Sequence, residues 1–158
     1  MRRGSLSLVG DREMVAEREF LAPRRRVFEA FHDPSLLPRW WGPAELTTTV
    51  ERYEVRPGGR WRVVQRAPDG AVHGFHGEFR EVEAPARVVS TFEYEGAPGK
   101  VLEQTFTFED RGDRTRVVVR VRFPSEATRR AMVDSGMESG MREGWARFDE
   151  VLAGRGPP

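Results

Sequence analysis

The chain has 158 residues, 38% of them hydrophobic and 32% charged, a composition that fits one folded domain with a buried core and excludes disordered and membrane-spanning classes. Basic and acidic residues nearly cancel, 26 against 25, so the field of the whole molecule gives no reason to expect nucleic acid or an anionic membrane as partner. Cysteine is absent, which removes disulfides, thiolate nucleophiles and cysteine-ligated metal sites.

Arg2 and Arg3 precede Leu6, Leu8 and Val9, but this apolar stretch is too short and interrupted for a signal peptide. Residues 1–12 are expected to be a flexible arm, residues 13–154 a single cytoplasmic domain and residues 155–158 a tail. Val15 to Ala22 fits a strand, and Pro23 stands where a helix can begin because its missing N–H costs nothing there. Val27, Phe28, Ala30 and Phe31 give that helix an apolar face, with His32 at its end. Asp33-Pro34 stops it, and a second short helix fits Ser35 to Arg39. Arg24-Arg25-Arg26 reads as solvated surface.

Trp40-Trp41-Gly42-Pro43 follows, placing two of four tryptophans in a turn-rich segment. Leaving both exposed would forfeit about 1.5–3 kcal/mol for each large side chain, so the pair is expected to cover a core and line a pocket entrance. Extended segments then run over Leu46–Val55, Arg60–Arg66, Val72–Val82, Arg87–Tyr94, Leu102–Glu109 and Thr115–Phe123, each separated by Gly or Pro turns. Six successive strands with short turns predict an antiparallel meander. From Ser125, a plausible N-cap, a long helix is expected, because Val133, Met137, Met141, Trp145, Phe148 and Leu152 form one stripe. The order is β-α-α-β6-α, an α+β chain whose last helix must lie against the sheet.

Val27-Phe28-x-Ala30-Phe31-x-Asp33-Pro34, Arg39-Trp40-Trp41-Gly42-Pro43 and Arg56-Pro57-Gly58-Gly59-Arg60-Trp61 are local words of a known kind. So are Glu81-Val82-x-Ala84-Pro85-x-Arg87-Val88-Val89 and Gly140-Met141-x-x-Gly144-Trp145-x-x-Phe148-Asp149. With the element order, they resemble the START-like (SRPBCC) superfamily, in the branch related to the C-terminal domain of activators of heat-shock protein 90 ATPase. The resemblance implies a helix-grip fold, a curved antiparallel sheet wrapped around a long C-terminal helix. It also implies a cavity, which in that superfamily serves lipid carriage, aromatic polyketide cyclisation or other binding, while some members stimulate a chaperone.

Candidate pocket residues are Phe28, Trp40, Trp41, Trp61, Phe75, Phe79, Phe92, Phe106 and Phe108, with Met132, Met137, Met141 and Trp145 on the helix. Simple packing produces the same periodicity, but methionines beside Gly140 and Gly144 make an adaptable surface suited to variable contents. His73 and His76, three apart on a strand, face opposite ways, which excludes a shared metal; His73 has the parity of Phe75 and Phe79 and is the inward candidate. Gln104 has the parity of Phe106 and Phe108, and Tyr53 and Tyr94 are further polar-tipped candidates. No Ser/His/Asp order, HExxH or phosphate loop occurs. The expected function is non-catalytic binding of a small hydrophobic or aromatic molecule, without metal or cofactor, by a monomer or homodimer. A cyclase-like enzyme using His73, Gln104 or a tyrosine, and a chaperone-modulating module, are the alternatives.

Overall fold

The computed structural model describes residues 4–154, so Arg2, Arg3 and the tail expected at 155–158 lie outside the described residues. Strands β1 (Ser5–Val9) and β2 (Glu13–Phe20) lead into helix α1 (Arg24–Phe31) and a 3-10 turn over Leu37–Arg39. Then come β3 (Thr47–Tyr53), β4 (Arg60–Arg66), β5 (Val72–Glu83), β6 (Arg87–Tyr94), β7 (Leu102–Asp110) and β8 (Thr115–Arg122). Helices α2 (Glu126–Asp134) and α3 (Met137–Leu152) close the chain.

All pairings are antiparallel, in the order β1-β2-β8-β7-β6-β5-β4-β3. The expected six-strand meander is therefore present from β3 to β8, and β2 joins its far side by pairing with β8, Ala16 opposite Val119. Alternation in β8 puts Thr115, Val117, Val119 and Val121 inside. It turns Arg116 outward between Glu17 and Glu109, and Arg120 towards Glu13. The sheet thus has one apolar concave face and one charged convex face.

The C-terminal helix α3 lies on the concave face. Phe20 of β2 meets Phe148 and Trp145 edge-on at 5.2 and 6.2 Å. Arg18 donates to the Trp145 carbonyl at 2.7 Å and pairs with Asp149 at 2.6 Å. This is a helix-grip arrangement, as the element order leads one to expect.

Two expectations are corrected. The arm expected to be flexible includes strand β1, paired with β2 from Ser5↔Glu17 to Val9↔Glu13. The expected single C-terminal helix is two helices, divided at Ser135-Gly136, where Gly136 has φ +95°. A residue with a Cβ is disfavoured there, so the glycine ends α2 in the left-handed conformation and the chain restarts as α3. Ser125 does cap α2, its hydroxyl accepting from the Thr128 N–H at 3.0 Å.

Candidate functional site: a pocket between the sheet and the C-terminal helix

The Trp40–Ala44 segment is fixed from two sides. On α3, Gly144 comes so near that a Cβ there would stand 2.8 Å from the Trp40 carbonyl oxygen, while Arg147 donates to the Gly42 carbonyl at 2.9 Å and Glu143 accepts from the Ala44 N–H. On β4, buried Gln65 donates to the Trp41 carbonyl at 3.2 Å. Glycine at 144 is therefore what lets the helix approach the loop this closely. The two tryptophans separate as a result: Trp40 is 4% exposed and packs on Phe31 and Phe148 at 4.8 and 5.0 Å, whereas Trp41 is partly buried against Trp61, Phe75 and Phe92.

Between this segment, the concave sheet and the helices lies a pocket of about 230 Å³. Aromatic rings from Trp40, Trp41, Trp61, Phe79, Phe92 and Phe106 form much of its wall, and Met132, Met137 and Met141 cover it from the two helices. Trp61 is held by its indole N–H, which donates to the Thr91 carbonyl at 3.1 Å where the β5–β6 ladder is interrupted opposite Gly77. A Cβ on Gly77 would stand 1.9 Å from that carbonyl and 2.5 Å from the indole nitrogen, so the glycine makes room for the contact.

The lining contains no Asp, Glu, Lys or Arg. Its polar groups come from His32, Tyr53, Ser90 and Gln104. Because the Phe28 carbonyl 2.8 Å away can only accept, His32 Nδ1 carries the proton, which leaves Nε2 as an acceptor. Burial among Phe28, Phe31 and Phe108 lowers the His32 pKa to about 4, only partly offset by that hydrogen bond, so the ring is neutral near pH 7. Burial likewise pushes the Tyr53 hydroxyl well above the ordinary tyrosine range. Trp40 Nε1 is buried without a hydrogen-bond partner among the described residues, a state that costs about 1–3 kcal/mol. No group of three or more metal-ligating side chains occurs among the described residues.

Of the residues picked from the sequence, Trp40, Trp41, Trp61, Phe79, Phe92, Gln104, Phe106, Met137, Met141 and Trp145 lie on the pocket wall, as does Met132. Phe28 and Phe108 do not: they face each other at 5.1 Å beneath α1 and belong to the core. Nor does Phe75, which Trp41 and Phe92 cover at 5.3 and 5.5 Å. His73 lies at the start of β5, before Phe75, its Nδ1 2.9 Å from the Tyr94 hydroxyl, outside this pocket. His76 faces the convex side, against Glu93 and Glu95. His32 and Ser90 line the pocket without being among the residues that strand parity and the helix stripe single out. The signal for His32 was its position four after Phe28 and one after Phe31, on the apolar face of the same helix.

An antiparallel sheet curved around a C-terminal helix defines the START-like class of domains. Within that class the chain belongs to the family of activator of Hsp90 ATPase homolog 1-like proteins, whose model matches residues 21–153. The class is one of ligand-binding domains at the level of the family. A solution structure of a protein from Arthrobacter aurescens shares 31% identity with the chain, covering 94% of it and 91% of the other protein, with a TM-score of 0.87. A crystal structure from Rhodobacter sphaeroides, at 24% identity, covers 96% and 99% with a TM-score of 0.90. The AHSA1 protein from Silicibacter pomeroyi, at 21% identity, covers 89% and 97% with a TM-score of 0.73. These last two show likeness of fold. No curated protein matches the chain.

Proposed function

We propose that this protein is a non-catalytic binder that holds one small hydrophobic or aromatic molecule between its sheet and α3. The observation that carries the reading is the pocket of about 230 Å³ walled by aromatic rings and methionines without a charged side chain. An apolar cavity of about 150 Å³ suffices for benzene, so this one has room for a substituted ring or a fused pair. Three methionines on the helical side give a wall that adapts to its contents. A cytoplasmic setting belongs to the same proposal, and no helix among the described residues is long and apolar enough to cross a membrane.

Naphthalene, followed through the fluorescence of the pocket tryptophans, tests it. Saturable binding is expected, lost in both Met141→Arg and Trp145→Ala, with circular dichroism verifying that each variant folds. Binding that survives both substitutions would place the ligand elsewhere and end the proposal. A chaperone-modulating role is favoured by one observation, the description of the matching family. Adding the protein to a heat-shock protein 90 homologue tests that role directly, and a binder of small molecules should leave the ATPase rate unchanged.

A further inference from the structure

A second pocket, of about 220 Å³, adjoins the first on the other side of Phe92, Leu102 and Met132, which line both. Phe92 and Leu102 are direct partners across β6 and β7, so the partition is one cross-strand pair plus a methionine side chain from α2. Methionine has three rotatable bonds and is the most adaptable part of such a wall. Apart from Thr128, no residue of α2 is buried. This helix therefore roofs the outer pocket with Ala127 and Ala131 and reaches the core through Met132. It is held at its start by the Ser125 cap and by Arg129, which donates to the carbonyls of Val9, Gly10 and Glu13.

The two pockets differ in charge. The inner one has no ionised side chain, while the outer one is bordered by Lys100, the chain's single lysine, and by Tyr94. Arginines such as Arg62, Arg80 and Arg116 are paired with glutamates on the convex face, but among the described residues no carboxylate pairs with Lys100. Tyr94 has its oxygen 2.9 Å from His73 Nδ1. When Nδ1 donates to that oxygen, the phenolic proton is free to be donated in turn. Lys100 stands two residues before Leu102, at the turn that leads into β7, and lines the outer pocket on the far side of the partition.

We propose that the outer pocket is a headgroup site for a carboxylate, and that the protein binds an arylalkanoate whose ring lies in the inner pocket and whose acid group meets Lys100 and Tyr94. This rests on the reading of the inner pocket as the ligand cavity and adds the class of ligand. Charge decides the orientation: an anion in the inner pocket would find no cation, whereas at Lys100 it gains an ion pair and a charge-assisted hydrogen bond.

The experiment compares three probes by calorimetry at low salt: 4-phenylbutanoate, 4-phenylbutanol of the same length, and indane, which needs the inner pocket alone. In the unmodified protein the carboxylate should bind about tenfold more tightly than the alcohol, the scale of one charge-assisted contact. Lys100→Gln should bring the two within about twofold and leave the affinity for indane, which does not enter the outer pocket, unaltered; Tyr94→Phe should reduce the preference in the same sense. Equal affinity for carboxylate and alcohol, or a preference that survives Lys100→Gln, overturns the headgroup site while indane binding keeps the inner cavity. Failure of indane to bind overturns the cavity reading, and the headgroup site with it.

Discussion

His32 links the end of α1 to the pocket wall, and its environment sets a pH dependence. In the folded protein its pKa is lowered from 6.5 to about 4, first by burial, with the hydrogen bond to Phe28 acting the other way. Between those two values the unfolded chain binds a proton at His32 that the folded chain refuses, so the contribution of His32 to stability is flat above about pH 6.5 and falls as the pH is lowered towards 4. The full loss is up to about 3 kcal/mol. Glu95, held down to about 2 by Arg62 and then His76, loses its contribution only below the ordinary glutamate range of 4.5, largely outside that window. Urea unfolding of the unmodified protein and of His32→Gln at about pH 7 and pH 4.5 separates the effects. The variant should lose most of the difference between the two pH values; an undiminished difference would mean that His32 is not the group responsible.

The division between α2 and α3 is the element on which sequence and structure part most clearly. Gly136 sits at φ +95° with open space where its Cβ would be, so Gly136→Ala adds a backbone penalty and no clash. That penalty is about 1–2 kcal/mol, and for a chain of this size the thermal midpoint should fall by about 2–8 °C. A midpoint unchanged on calorimetry would show that the helices can run through this junction. The break was hidden from the sequence because Val133 and Met137 keep the four-residue spacing across it, and a periodic stripe cannot tell one helix from two whose apolar faces align. Strand β1 was hidden for the opposite reason. As an edge strand it exposes Leu8 and Val9 and packs only Leu6 against the core, so it lacks the alternation of a half-buried strand. Strands β4 and β8 were legible because every second residue is buried, and the rest of the meander because Gly or Pro turns separate its extended segments. In the site, strand parity alone turns Gln104 inward and sets His73 and His76 on opposite faces. It carried His73 and Phe75 to the correct face but not along it, since position along a strand depends on which rings, here Trp41 and Phe92, close the pocket above them.

For the molecule as a whole, charge and cavity divide between the two faces of one sheet. The convex face carries an Arg–Glu ladder, including Arg116 with Glu17 and Glu109 and Arg120 with Glu13. Exposed pairs of this kind contribute about 0–1 kcal/mol each, so they fix register and solubility more than stability. Stability comes from the concave side, where buried rings from β2, α1 and α3 meet edge to face. The pocket is the part of that side where lining atoms lack partners, and a ligand supplies the missing dispersion contacts only in the folded state. Binding must therefore raise the unfolding temperature. At about a hundred times its dissociation constant, a ligand adds about 2.7 kcal/mol, which for a domain of this length corresponds to about 5–10 °C. Scanning calorimetry with naphthalene should show this rise in the unmodified protein, growing with the logarithm of ligand concentration, and none in Met141→Arg. A midpoint indifferent to naphthalene at saturation would mean that the apolar space under α3 is packing slack rather than a binding site.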